Sequence, residues 1–124
     1  MIRLQILGET PAKKNANKFN AKTKAVYKKA GYRKWYDGAR LQLDVQCRIE
    51  KPIEHEVAIK LTFFHGDLKR RDSDNGTSSI LDLLTDAGIL SDDKWQIVRK
   101  LQICNFYEKN NPRCIVEISE YTEI

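Results

Sequence analysis

Residues 69–93, KRRDSDNGTSSILDLLTDAGILSDD, decide how this chain is read. The stretch opens on three cations, Lys69, Arg70 and Arg71, and runs straight into Asp72 and Asp74. A short apolar helix is expected next, with Ile80, Leu81, Leu84 and Ala87 as its buried stripe. Asp74 or Asn75 can cap it, and Gly88 stands where a left-handed C-terminal residue is wanted. The stretch closes on a second acidic pair, Asp92 and Asp93. Cations pressed against carboxylates make a poor core and a good site. Carboxylate oxygens are hard donors that suit Mg²⁺, which keeps few protein ligands and leaves positions for phosphate oxygens and water. Lysine and arginine beside them hold the phosphate that carboxylates alone would repel. The pattern points to metal-assisted phosphodiester chemistry.

Chain geometry permits the acids to meet. Asp72 and Asp74 are two apart, so in extended chain they share one face. About ten helical residues then carry the chain roughly 15 Å away. The return through Gly88 to Asp93 spans at most about 20 Å. Reunion within one chain is feasible with little slack, and completion across a subunit interface is the competing geometry. Taken singly, Asp74 also reads as a helix cap and Asp92-Asp93 as a turn. The coincidence of acids, guanidinium groups and a distant basic segment favours a site.

That basic segment lies between Lys13 and Lys34. It holds nine of the 22 Lys/Arg and no acid, leaving 13 basic against 17 acidic residues elsewhere. Positive charge concentrated this way fits a polyanion-binding surface, the bland alternative being a solvated basic loop. At 124 residues the chain is read as one domain, residues 1–124, able to bury a single core. No run suits a membrane span and the start lacks a signal-peptide layout, so a cytoplasmic protein is expected. Cys47, Cys104 and Cys114 are odd in number, lack CxxC spacing, and are expected as reduced thiols in or near the core.

The flanks supply the rest of the fold. Ile2 to Leu7 alternates as a strand, and residues 13–29 read as a flexible basic loop. Tyr32, Trp35, Tyr36, Ala39, Leu43 and Cys47 form the apolar stripe of a helix over about 32–49. Val57 to Phe64 is a second strand and leads into the acidic motif, placing it at a strand's carboxyl end, where sheets tend to bind ligands. His65 nearby reads as structural or solvated. Trp95 to Cys104 and Cys114 to Ile118 are expected as a closing hairpin about the turn Glu108-Lys109-Asn110-Asn111-Pro112. The order βαβαββ predicts an α+β fold, a small mixed sheet with two helices on one face.

The run Arg70-Arg71-Asp72-Ser73-Asp74-Asn75, followed by Leu83-Leu84-Thr85-Asp86-Ala87-Gly88-Ile89-Leu90-Ser91-Asp92-Asp93, resembles the RusA-type Holliday junction endodeoxyribonucleases. The specific likeness covers residues 69–93, with a looser one toward both ends. It implies Asp72, Asp74 and Asp93 as catalytic, metal-holding carboxylates, Mg²⁺ (or Mn²⁺) as cofactor, and a homodimer that cuts four-way DNA junctions symmetrically in recombination and repair. Lys13, Lys14, Lys18, Lys69, Arg70 and Arg71 are the expected DNA contacts. The sequence departs from the family pattern in carrying Gly76 where a leucine is usual and Ser78 where a catalytic lysine is usual. Lys94 or Lys69 stands as the substitute cation. A branched-DNA or single-strand binder without turnover is the rival reading that Ser78 raises, and an RNA-directed protein is the third.

Overall fold

In the computed structural model, residues 1–13, 17–20, 25–28 and 30–123 are described, with the side chains of residues 14–29 left outside the description. The first strand, β1 (Ile2–Leu7), follows its alternation: Leu4 and Ile6 are buried and Arg3 faces out. Two short strands follow where a loop is expected, β2 (Asn17–Asn20) and β3 (Ala25–Lys28), paired antiparallel as a separate ribbon. A ribbon of two four-residue strands requires no period-two apolar face, so the sequence carries no pattern to mark it.

Helix α1 (Ala30–Gln46) buries Tyr32, Ala39 and Leu43, while Trp35, Tyr36 and Cys47 pack against the core at its margin. It also secures β1. Leu7 N–H donates to Gln42 Oε1 at 2.7 Å, Gln5 N–H to Gln46 Oε1 at 2.8 Å, and Gln46 Nε2 returns a bond to Gln5 O at 2.6 Å. Since β1 is an edge of the sheet, these glutamines occupy main-chain groups that would otherwise invite another strand.

The remaining elements are β4 (Val57–His65), α2 (Thr77–Asp86), β5 (Val98–Tyr107) and β6 (Arg113–Glu120). Sheet order is β1-β6-β4-β5, with β1/β6 and β6/β4 antiparallel and β4/β5 parallel. The fold is therefore a small α+β domain on a mixed sheet. The expected hairpin of the last two strands does not form, because β4 lies between them. The 108–112 turn crosses the end of β4 instead: Glu108 N–H donates to His65 O at 2.8 Å, and Gly8 N–H to Pro112 O at 2.9 Å. A five-residue turn suits either path. The choice comes from Val57, Ile59, Leu61 and Phe63, each at most 2% exposed, which make β4 the strand that needs neighbours on both edges.

Leu4, Ile6, the four β4 residues, Cys114, Val116 and Ile118 form one sheet face, and Ala39, Leu43, Ile80, Leu83 and Leu84 bring both helices onto it. All three cysteines are free; Cys114 is fully buried, its thiol pushed up to about 12 by burial, and Cys47 and Cys104 are half-buried. Among the described residues, no helix is long and apolar enough to cross a membrane.

The parallel β4–α2–β5 unit positions the acidic motif, since the chain must leave the carboxyl end of β4 and cross back through a helix. Gly88 ends α2 as expected, at φ +74°, with its N–H on Thr85 O and Ile89 N–H on Leu84 O, both at 3.0 Å. Ile53 then clamps the return: its N–H donates to Ile89 O at 2.9 Å and its carbonyl accepts from Ser91 N–H at 3.0 Å.

Candidate active site

The loop between β4 and α2 begins by disposing of its charges on one side. Arg71, its side chain 19% exposed, sends Nη1 to Asp67 Oδ1 at 2.7 Å and Nη2 to Asp67 Oδ2 at 3.2 Å. Its Nη2 also lies 3.5 Å from Glu9 Oε1. The Arg71 bond first, and the Lys69 N–H second, hold the Asp67 carboxyl down at about 2. Glu9 in turn accepts Gly66 N–H at 3.1 Å and sits 2.8 Å from His65 Nδ1. The other ring nitrogen, Nε2, lies 2.8 Å from Asn105 Oδ1, while Asn105 Nδ2 donates to Ser73 O at 2.9 Å. A carbonyl only accepts, so Ser73 fixes the Asn105 amide and makes His65 Nε2 the donor to it. Residue 73 lies between the two motif aspartates, so this chain of contacts ties the motif to β4 and β5.

On the other side the charges are left bare. Asp72 and Asp74 are both exposed, and their main-chain carbonyls accept Asn75 N–H and Thr77 N–H at 3.0 Å as the loop turns into the helix. The expected cap is absent: Gly76 occupies the N-cap position and no side chain caps α2. Gly76 is required there, since a Cβ would stand 2.7 Å from Thr10 Cγ2 and 3.0 Å from Phe63 Cε1. The consequence is chemical as well as steric. The Asp74 carboxylate is not spent on the helix.

Both carboxylates line a cleft of about 150 Å³ together with Ala12, Lys13, Asn75 and Ser78. Lys13 Nζ crosses to Asp82 on α2 at 2.6 Å, and its proton is held more tightly than usual, first by that hydrogen bond, then by the Asp82 charge, with Asp93 adding to it. Asp93 itself is exposed by area, yet its carboxyl is pushed up, first by partial loss of water, then by the hydrogen bond its protonated form donates to Asp92 and by the charges of Asp82 and Asp92. Asp92 also takes Asp93 N–H at 2.7 Å, so the first acid of that pair closes the turn.

Asp72 and Asp74 are thus brought together with Lys13 in one cleft, while Asp93 does not line that cleft and feels the charge of Asp82. Among the described residues, no three His, Cys, Asp or Glu side chains are grouped as metal ligands. The donor chemistry nevertheless fits Mg²⁺, which settles for one or two carboxylates and fills its remaining positions with water and phosphate. Asp72 and Asp74 offer such a pair, and neither enters an ion pair among the described residues.

Of the other expected residues, Lys69 and Arg70 are exposed, and Arg70 lines an adjoining hollow with Glu9, Pro11 and Asn75. Arg71 is drawn inward. The Lys14 and Lys18 side chains lie outside the described residues. Lys94 is exposed beside Asp93, and among the described residues it does not line the Asp72–Asp74 cleft. Sequence reading missed Asp82, Glu9 and Asn105 and set His65 aside. Asp82 was within reach, lying one helical turn past Ser78 and off the apolar stripe. Contacts spanning 56 and 40 positions, as for His65 with Glu9 and Asn105, leave no local signal.

A family profile described as Endodeoxyribonuclease RusA matches residues 9–119, most of the chain. No curated protein sequence matches it.

Proposed function

The chain belongs to the RusA endodeoxyribonuclease family, and we propose that it is a Mg²⁺-dependent nuclease resolving four-way DNA junctions by paired, symmetric nicks. One observation carries this reading. Two neighbouring carboxylates, Asp72 and Asp74, stand exposed in a cleft and, among the described residues, outside any ion pair, while Arg71 is tied to Asp67 and Glu9. A structural ion network would have neutralised them.

Asp72 and Asp74 would hold the ion, with Asp93 joining as the third carboxylate. When bound, Mg²⁺ (or Mn²⁺) supplies Lewis-acid neutralisation of the phosphate and favours ionisation of the attacking water. The reaction joins a water oxygen to phosphorus and breaks the bond to the 3′ oxygen. A proton passes from the water to that oxygen, leaving a 5′-phosphate and a 3′-hydroxyl. Lys69 and Arg70, with Lys13, Lys14 and Lys18, meet the backbone, so affinity falls steeply with salt. Arg71 acts at one remove by fixing the loop. A junction has near-twofold symmetry and needs two nicks, which calls for a homodimer with one site per chain.

The test is cleavage of a synthetic four-way junction with labels on opposing strands, with and without divalent metal. Symmetric, metal-dependent nicks are expected, and no nicks in Mg²⁺ or Mn²⁺ would sink the proposal. Ser78, a neutral side chain lining the acidic cleft, favours the second reading of a branched-DNA binder without turnover. In that case the junction is bound and returned intact.

A further inference from the structure

The acidic cleft has a charge problem that its own helix does not solve. A phosphodiester brings one negative charge to a site already holding Asp72 and Asp74, with Asp82 and Asp93 close by, and attack by water adds a second. Some cation of the protein must face that charge as it develops. Ser78, on the wall of the cleft, is neutral.

Lys13 stands in that place, and the fold is built to keep it there. Pro11 O accepts a 2.6 Å hydrogen bond from Ser79 Oγ, a side chain with no exposed surface. Thr10 and Ala12 on either side are buried, and Thr10 presses against the bare Cα of Gly76. Any side chain at position 76 would push the segment away. The 10–13 segment is therefore laid across the start of α2, and Lys13 lines the cleft from that segment while Ser78 lines it from the helix. Its ammonium is steered by Asp82 at 2.6 Å and feels Asp93. Ser78 and Asp82 are four apart on one helix, so the Lys13 charge sits over the face that Ser78 leaves uncharged.

We infer that Lys13 supplies the catalytic cation of this site, meeting the scissile phosphate, and that Asp82 positions it. The inference rests on the nuclease reading above and assigns to Lys13 more than a grip on the DNA backbone. Lys13 exchanges no proton in this role; its charge offsets the one gained at phosphorus.

The experiment compares the parent with Lys13→Met, Lys13→Arg and the double variant Lys13→Met/Ser78→Lys. Single-turnover cleavage is followed with the junction saturated by protein, and junction affinity is measured separately without metal. Lys13→Met is expected to lose roughly 10²-fold in the cleavage rate, with affinity reduced only as for one lost phosphate contact. Lys13→Arg retains part of the rate, and the double variant, carrying its cation into the same cleft from α2, recovers most of it. Removing the ammonium also tightens Mg²⁺ binding to the DNA-free protein, read by calorimetry. A Lys13→Met protein that cuts as fast as the parent once saturated, or binds Mg²⁺ no more tightly, overturns the assignment while leaving the nuclease reading intact. A parent that cuts nothing overturns both.

Discussion

The loop that joins β4 to α2 treats charge in opposite ways on its two sides. Toward β5, Glu9, His65, Asp67, Arg71 and Asn105 pass hydrogen bonds from one to the next until every group has a partner. Toward α2, Asp72 and Asp74 face a cleft with Lys13, and Asp93 is held in an environment that disfavours its charged form. The first side costs little to keep and does no chemistry. The second is poised to accept a cation and a phosphate, and it stays open because the first side holds the loop still. Satisfied polar networks fix shape, while unsatisfied ones at the surface mark function.

That division can be broken by experiment. Asp74→Asn has the largest expected effect, a loss of cleavage on the order of 10³-fold, equal to about 4 kcal/mol of barrier. Its stability stays within about 0.5 kcal/mol of the parent, since an exposed uncapping side chain is removed. A large drop in melting temperature would mean that Asp74 belongs to the structural side. Arg71→Met comes next and reverses the pattern: about 2 kcal/mol of stability is lost with the paired guanidinium, and cleavage falls less than for Asp74→Asn. Unchanged stability with weakened junction binding would instead put Arg71 on the DNA.

Asn105→Ala releases Ser73 O and should cost about 1 kcal/mol, with kcat lowered more than junction affinity. Equal losses in both would deny that it acts through the motif. The smallest effect belongs to Asp67→Asn. Because the folded protein holds this carboxyl at about 2, below its ordinary 3.8, its contribution to stability is present above pH 4 and is lost as pH falls through about 2. Urea midpoints of parent and variant should differ slightly at pH 7 and converge near pH 2; a gap that persists in acid would show that the Arg71 pair is not its source.

Much of this was legible in the sequence. Ile80 and Leu84 at helical spacing, Gly88 beyond them, and the alternation of β1 and β4 each follow from local geometry, and the structure places them as expected. The passage of β4 between the last two strands was not legible, because the 108–112 turn is compatible with both a hairpin and a crossing. At the site, spacing picked out Asp72 and Asp74, which do share a cleft. It wrongly offered Asp74 as a cap because an acid before an apolar run is the usual signal, and only the approach of Thr10 and Phe63 explains why glycine takes the position. The pairing of Lys13 with Asp82 joins segments that no local pattern connects.

Helix α2 runs ten residues between two fixed ends, Gly76 wedged under Thr10 and Ile89 clamped by Ile53. It therefore works as a ruler. One residue inserted or deleted ahead of Asp82 would turn everything beyond it by about 100°, carrying Asp82 away from Lys13 and displacing Asp93 with it. An insertion or deletion in this span therefore costs the site more than most substitutions within it, because it moves every later side chain at once.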